Sequence, residues 1–159
     1  MRTLLIAAAL AAVAVMGSVT TALAADSDPV VGTWQLNAAK STWTSGPAVK
    51  SQTRTYSQSG PSITLVMKTV GPDGKESTSQ TTYQLDGKDY PVSGSADYDS
   101  LTAKQVNPRT ATFTLKKGGK AVGTTTRTVS KDGKTLTAKS SVTTAKGEKA
   151  ESVTVFDKQ

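Results

Sequence analysis

The chain has 159 residues, with 19 Lys plus Arg against 12 Asp plus Glu, no His, no Cys, and only two Trp, four Tyr and two Phe. Without His or Cys there is no His-based hydrolytic triad, no thiol nucleophile, no disulfide and no thiolate or imidazole metal site, so no metal, no cofactor and no enzymatic activity are expected. Thr and Ser supply 39 of the 135 residues after Ala24, a composition that favours strands and turns over helix.

Met1-Arg2 gives a short positive start, Thr3 to Met16 is an apolar, Ala-rich run, and Ala22-Leu23-Ala24 places small residues where a signal peptidase reads them. The run is short of the roughly 20 residues that span a bilayer, and no Cys follows it to carry a lipid anchor. Residues 1–24 are therefore predicted to be a cleavable signal peptide with no transmembrane segment. Residues 25–159 are predicted to form one exported domain, periplasmic or secreted and monomeric. Lacking disulfides, that domain must hold itself closed by buried apolar surface.

Turn signals divide the domain. Pro72-Asp73-Gly74-Lys75, Asp86-Gly87-Lys88, Gly118-Gly119-Lys120, Asp132-Gly133-Lys134 and Lys146-Gly147-Glu148 read as hairpin turns, and Gly119, Gly133 and Gly147 recur every 14 residues, the length of one strand plus one turn. Between them the chain alternates: Ile63, Leu65 and Met67 face one way, as do Ala111, Phe113 and Leu115, and Leu136, Ala138, Ser140 and Val142. Ten strands are predicted, near 30–36, 50–58, 62–70, 75–85, 88–93, 98–106, 110–116, 121–130, 134–144 and 149–157, with one helical turn at Asn37-Ala38-Ala39-Lys40. Consecutive antiparallel strands leave exposed edges unless the sheet closes. The predicted fold is thus an all-β, up-and-down antiparallel barrel of 8–10 strands, with a two-sheet sandwich as the alternative.

Val30-Val31-Gly32-Thr33-Trp34 opens the domain, and this Gly-x-Trp on a first strand resembles the signature of the lipocalin and fatty-acid-binding-protein (calycin) superfamily. The stretch from Gly32 through Ser41, followed by Ser51-Gln52-Thr53-Arg54-Thr55-Tyr56, is similar to small bacterial secreted proteins described as lipocalin-like. The resemblance implies that Trp34 plugs one barrel end and that an Arg from a late strand crosses its indole; Arg127 is the nearest candidate and Arg54 competes. The Arg-x-Tyr pair with which many intracellular fatty-acid binders hold a carboxylate is absent from the last strand, Val153-Thr154-Val155-Phe156-Asp157. The segment Ser93-Gly94-Ser95-Ala96-Asp97-Tyr98 resembles the Ser-Gly-Ser loop of bacterial C-type lysozyme inhibitors, though their second motif and Cys pair are missing.

Candidate functional residues follow from these placements. Arg54 and Arg127 are the guanidinium groups a barrel could bury, either to pair with an anionic head group or to stack on an aromatic ring. With Tyr56, Met67, Tyr83 and Phe113 they form the predicted ligand-binding set, while Gly32, Trp34 and Arg127 form the predicted barrel-closing motif. Charge is uneven: residues 25–100 carry six basic and eight acidic side chains, residues 101–159 twelve and four. In a meander alternate turns share an end, which groups Lys117, Lys120, Lys146 and Lys149 with the 37–49 loop and its Trp43 as a predicted portal for anionic amphiphiles. Asp97 and Asp99 are read as solvated loop acids, and nucleic acid is not expected as a partner because no aromatic platform interleaves the basic turns. Two functions compete: a barrel binding a small hydrophobic or amphipathic ligand, and an envelope interaction or structural barrel filled by its own side chains. A lysozyme-inhibitor-like role ranks below both.

Overall fold

A computed structural model describes residues 27–159; the predicted signal peptide lies outside the described residues. Eleven strands appear in chain order: β1 (Gly32–Leu36), β2 (Thr42–Ser45), β3 (Ser51–Ser59), β4 (Ser62–Val70), β5 (Glu76–Tyr83), β6 (Asp86–Ser93), β7 (Ser100–Asn107), β8 (Thr110–Lys117), β9 (Lys120–Val129), β10 (Thr135–Thr143) and β11 (Lys149–Lys158). A single 3-10 turn, Ala38–Lys40, separates β1 from β2 and is capped by the Asn37 side chain, which accepts from the Lys40 amide.

From β3 to β11 each strand pairs antiparallel with the next. β1 closes the ring, since Trp34 is opposite Arg54 of β3 on one side and Lys158 of β11 on the other. Ten strands thus form a closed barrel, not a sandwich, and β2 is an addition to it. Where β1 ends, the edge of β11 would be left bare; β2 covers it, with Ser152 opposite Trp43 and Glu151 opposite Ser45. The expected 37–49 loop therefore contains a strand. A second expectation also changes. Asp86-Gly87-Lys88 is not a hairpin turn but the start of β6, where the register against β7 slips between Asp86 and Asp89. An irregularity of that kind bends a strand rather than reversing it.

Side-chain alternation sets the interior. Along β8 and β10 every second residue is buried or half-buried on the inner face, Ala111, Phe113 and Leu115 on the first and Leu136, Ala138, Ser140 and Val142 on the second. The pleat puts neighbours of equal parity side by side, so Ala138 is opposite Arg127, and Ser140 opposite Thr125. The apolar contacts concentrate at one end, where Val30, Trp34, Val129, Leu136 and Phe156 are almost wholly removed from solvent. There the Trp34 Nε1–H donates to the Val30 carbonyl at 2.7 Å, so the one polar atom of the indole is satisfied. This end is the floor, and the β6–β7, β8–β9 and β10–β11 connections gather at the opposite end, the mouth.

The cation over Trp34 is Lys158, its Nζ 5.1 Å from the ring centroid, rather than either arginine. Gly32 makes this approach feasible: at φ +134° a Cβ would lie 2.8 Å from Lys158 Cε. The glycine of the Gly-x-Trp pair is thus the groove through which the lysine stem reaches the indole.

Candidate functional site

Between floor and mouth the barrel encloses a cavity of about 290 Å³. The six residues of the predicted ligand set, Arg54, Tyr56, Met67, Tyr83, Phe113 and Arg127, all line it. Inward parity explains the grouping: Arg54 and Tyr56 alternate on β3, Met67 is opposite Arg54 on β4, and Phe113 and Arg127 project from β8 and β9. Leu65, Leu101, Leu115 and Val142 complete the apolar wall, while Gln52, Thr125, Ser140, Thr144 and Ser152 supply polar atoms toward the mouth.

Arg127 lies at the base and is only 3% exposed. Its guanidinium carbon is 5.5 Å from the Tyr56 ring centroid and 5.4 Å from that of Phe113, so the charge rests between two π faces. Nη1 donates to the Tyr83 hydroxyl at 2.8 Å, and Nη2 is 3.7 Å from a carboxylate oxygen of Asp28. Tyr83 in turn meets Phe113 edge to face, centroids 5.4 Å apart. Burial alone would lower the Arg127 pKa, but Tyr83, Tyr56 and Asp28 outweigh it and hold the group charged. The same burial pushes the Tyr83 hydroxyl well above its ordinary value despite the opposing pull of Arg127. Buried Arg127 Nε has no hydrogen-bond partner, a state that costs about 1–3 kcal/mol for a desolvated donor.

Arg54 is fixed differently. Its guanidinium lies 4.3 Å from the Phe156 ring centroid, and its Nε donates to Gln52 Oε1 at 2.8 Å, leaving the two terminal nitrogens free of protein hydrogen bonds among the described residues. Neither arginine therefore closes the barrel over Trp34, and both belong to the cavity wall. Of the barrel-closing set, Gly32 and Trp34 do sit at the floor.

The predicted portal is placed otherwise than expected. Lys117, Lys120, Lys146 and Lys149 stand on mouth hairpins, but none of them lines the cavity, and Lys149 pairs with Glu151. Trp43 is half-buried on β2, hydrogen-bonded into the sheet rather than carried on a free loop, and it too is absent from the cavity wall. All four are exposed at the rim, Lys117, Lys120 and Lys149 on strand ends and Lys146 in the β10–β11 turn. The charged residue that does line the mouth is Asp97. It and Asp99 are not merely solvated: Asp97 Oδ1 accepts from the Ala145 amide, and Asp99 Oδ2 from the Gly118 amide, each at 2.9 Å.

Asp28 is the floor residue that sequence reasoning missed. It precedes the first strand and becomes a partner of Arg127 only when the N-terminal segment folds under the barrel, its Oδ1 accepting from the Val30 amide at 2.9 Å. No local pattern announces such a contact. Among the described residues no helix is long and apolar enough to cross a membrane. No family model matches the chain, and no curated protein matches it. A solved structure described as a redesigned beta barrel, mFAP1, bound to DFHBI, is similar at 16% identity over 82% of this chain and 95% of that chain, with a TM-score of 0.45.

Proposed function

We infer that the protein is an exported, lipocalin-like binding barrel, without catalytic activity, that holds one small, mainly apolar molecule carrying an anionic or hydrogen-bond-accepting group. The observation that carries this reading is the pair of guanidinium groups, Arg54 and Arg127, in the wall of a cavity whose remaining surface is mainly apolar, with the terminal nitrogens of Arg54 free of protein hydrogen bonds among the described residues. A carboxylate or similar acceptor seated there would take hydrogen bonds from the free terminal nitrogens of Arg54 and sit in the field of the buried Arg127 charge, while the aromatic and aliphatic wall takes the remainder. The leader-like residues 1–24 support export, and the missing His and Cys support binding rather than catalysis.

The test is native mass spectrometry of protein purified from its own host, followed by calorimetric titration with a series of aromatic and aliphatic carboxylic acids and their neutral amides. Bound mass, together with carboxylates binding about tenfold or more tighter than the amides, a gap of about 1.4 kcal/mol, is expected. Absence of any bound mass and of any titration across the series would sink the reading.

A second reading has one specific observation in its favour. A volume of about 290 Å³ stands at the lower edge of the roughly 300–1,000 Å³ usual for ligand pockets. That suits a barrel filled by its own side chains, acting through its Thr- and Ser-rich outer surface, and the same titrations separate the two.

A further inference from the structure

Among the described residues, a side-chain contact bridges the mouth of the cavity between two distant parts of the ring. The β6–β7 connection, residues 94–99, and the β10–β11 hairpin are four strands apart in a ten-strand barrel, nearly opposite one another. Asp97 and Tyr98 of the first and Thr144 of the second all line the cavity, so these are its two lips. They are joined where Asp97 Oδ1 accepts from the Ala145 amide at 2.9 Å.

The roots of the 94–99 segment are fixed. Gly94, at φ +75°, presses against the Thr78 carbonyl of β5 so closely that a Cβ would collide with it. Asp99 is built into the sheet at the other end: its carbonyl accepts from the Val92 amide at 2.8 Å and its amide donates to the Lys116 carbonyl at 2.9 Å. Between these anchors residues 95–98 cross the mouth. Tyr98 forms their inner side and walls both the main cavity and a small hollow against β4 and β5.

We propose that residues 95–98 are a strap over the binding cavity, latched by the Asp97 carboxylate to the Ala145 amide, and that release of this latch lets ligand enter and leave. The proposal deepens the binding function inferred above and rests on it, but the latch itself can be tested without ligand. When the latch parts, Tyr98 swings out on the fixed ends at Gly94 and Asp99, and the main cavity and the small hollow become one opening. The contact is local, so losing it changes the rate of exchange more than the affinity.

Asp97→Ala is compared with wild type and with Asp132→Ala, which makes the same charge change at the floor end. Amide hydrogen exchange by NMR is read on the ligand-free proteins. The Ala145 amide is expected to be protected in wild type and to exchange about tenfold faster in D97A, the scale of one hydrogen bond to a charged group, while the Gly118 amide held by Asp99 is unchanged. An unprotected Ala145 amide in wild type, or equal exchange in D97A, overturns the latch.

Stopped-flow fluorescence with anilinonaphthalene sulfonate as the apolar anionic probe then reads the gate. Association and dissociation are both expected to quicken about tenfold in D97A, with Kd moving less than threefold and with D132A like wild type. Unchanged rates in D97A overturn the gating role. Failure of the probe to bind any of the three proteins overturns the binding function instead, and the exchange data still decide the latch.

Discussion

The two ends of the barrel are built on opposite terms. At the floor, Trp34, Phe156, Leu136 and Val129 are buried almost completely, and a lysine stem closes over the indole. At the mouth, hairpin tips carry exposed lysines, and the closure is a carboxylate-to-amide hydrogen bond between loops. The difference teaches that a meander can separate its tasks along one axis. Apolar burial at one end supplies stability, and weak polar contacts at the other leave the interior reachable.

The largest expected effect breaks the floor. Trp34→Ala removes the plug and the Nε1–H bond to Val30, and should destabilise the fold by about 3–5 kcal/mol, read from urea unfolding. Arg127→Met comes next. It strands the Asp28 carboxylate in a mostly buried site, a loss of about 3 kcal/mol, and adding Asp28→Asn should restore part of it because the buried charge is then gone. No restoration in the double variant would show that Arg127 acts through its aromatic contacts alone. Gly94→Ala attacks the root of the mouth strap. Its positive φ and the collision with the Thr78 carbonyl predict a loss of about 1–3 kcal/mol, with the unfolding data supplemented by NMR shifts centred on residues 78 and 94–98.

A pH series sharpens the comparison further. Burial holds the Tyr83 phenol neutral beyond its ordinary range, so above about pH 10, where the unfolded tyrosine ionises, the unfolded state binds fewer protons than the native one. Tyr83's contribution is complete below that pH and is lost progressively above it. Tyr83→Phe should flatten the alkaline decline in unfolding free energy. The smallest effect belongs to the ion pairs at the surface. Lys116→Ala breaks the pair with Asp89, whose side chain is 60% exposed, and should shift stability by less than about 1 kcal/mol.

The course of the chain was readable in the sequence because turns and alternation are local signals. Each of the ten predicted strands has its counterpart, from 62–70 as Ser62–Val70 to 149–157 as Lys149–Lys158. β2 was not readable. Thr42-Trp43-Thr44-Ser45 has no glycine turn before it, and it becomes a strand only because β11 outruns β1 and offers a bare edge. The site divides the same way. Alternation in the sequence oriented Met67 and Phe113, and in the barrel Arg54, Tyr56, Tyr83 and Arg127 share their inner face, whereas the partners that define their chemistry are long-range. Asp28 reaches Arg127 from before the first strand, Lys158 reaches Trp34 from the last, and Asp97 reaches Ala145 across the mouth. Lysines near one another in turn order suggested a basic portal, but adjacency of turns says nothing about which side chains look down the axis.

The pairing of β1 with β11 also fixes an order of events. Every other step around the ring joins strands near in sequence, through a short connection everywhere except β1 to β3, where residues 37–50 intervene, so it can form as soon as both strands exist. Trp34 finds Lys158, and Leu36 finds Phe156, only across nearly the whole intervening chain. Local hairpins are quick to form, and long-range closure bears the loop entropy and sets the pace. Until β11 is available, β1 and β10 each present an unpaired edge, and the plug at Trp34 has no Phe156 or Lys158 to rest against. The slow folding step and the completion of the floor are therefore one event.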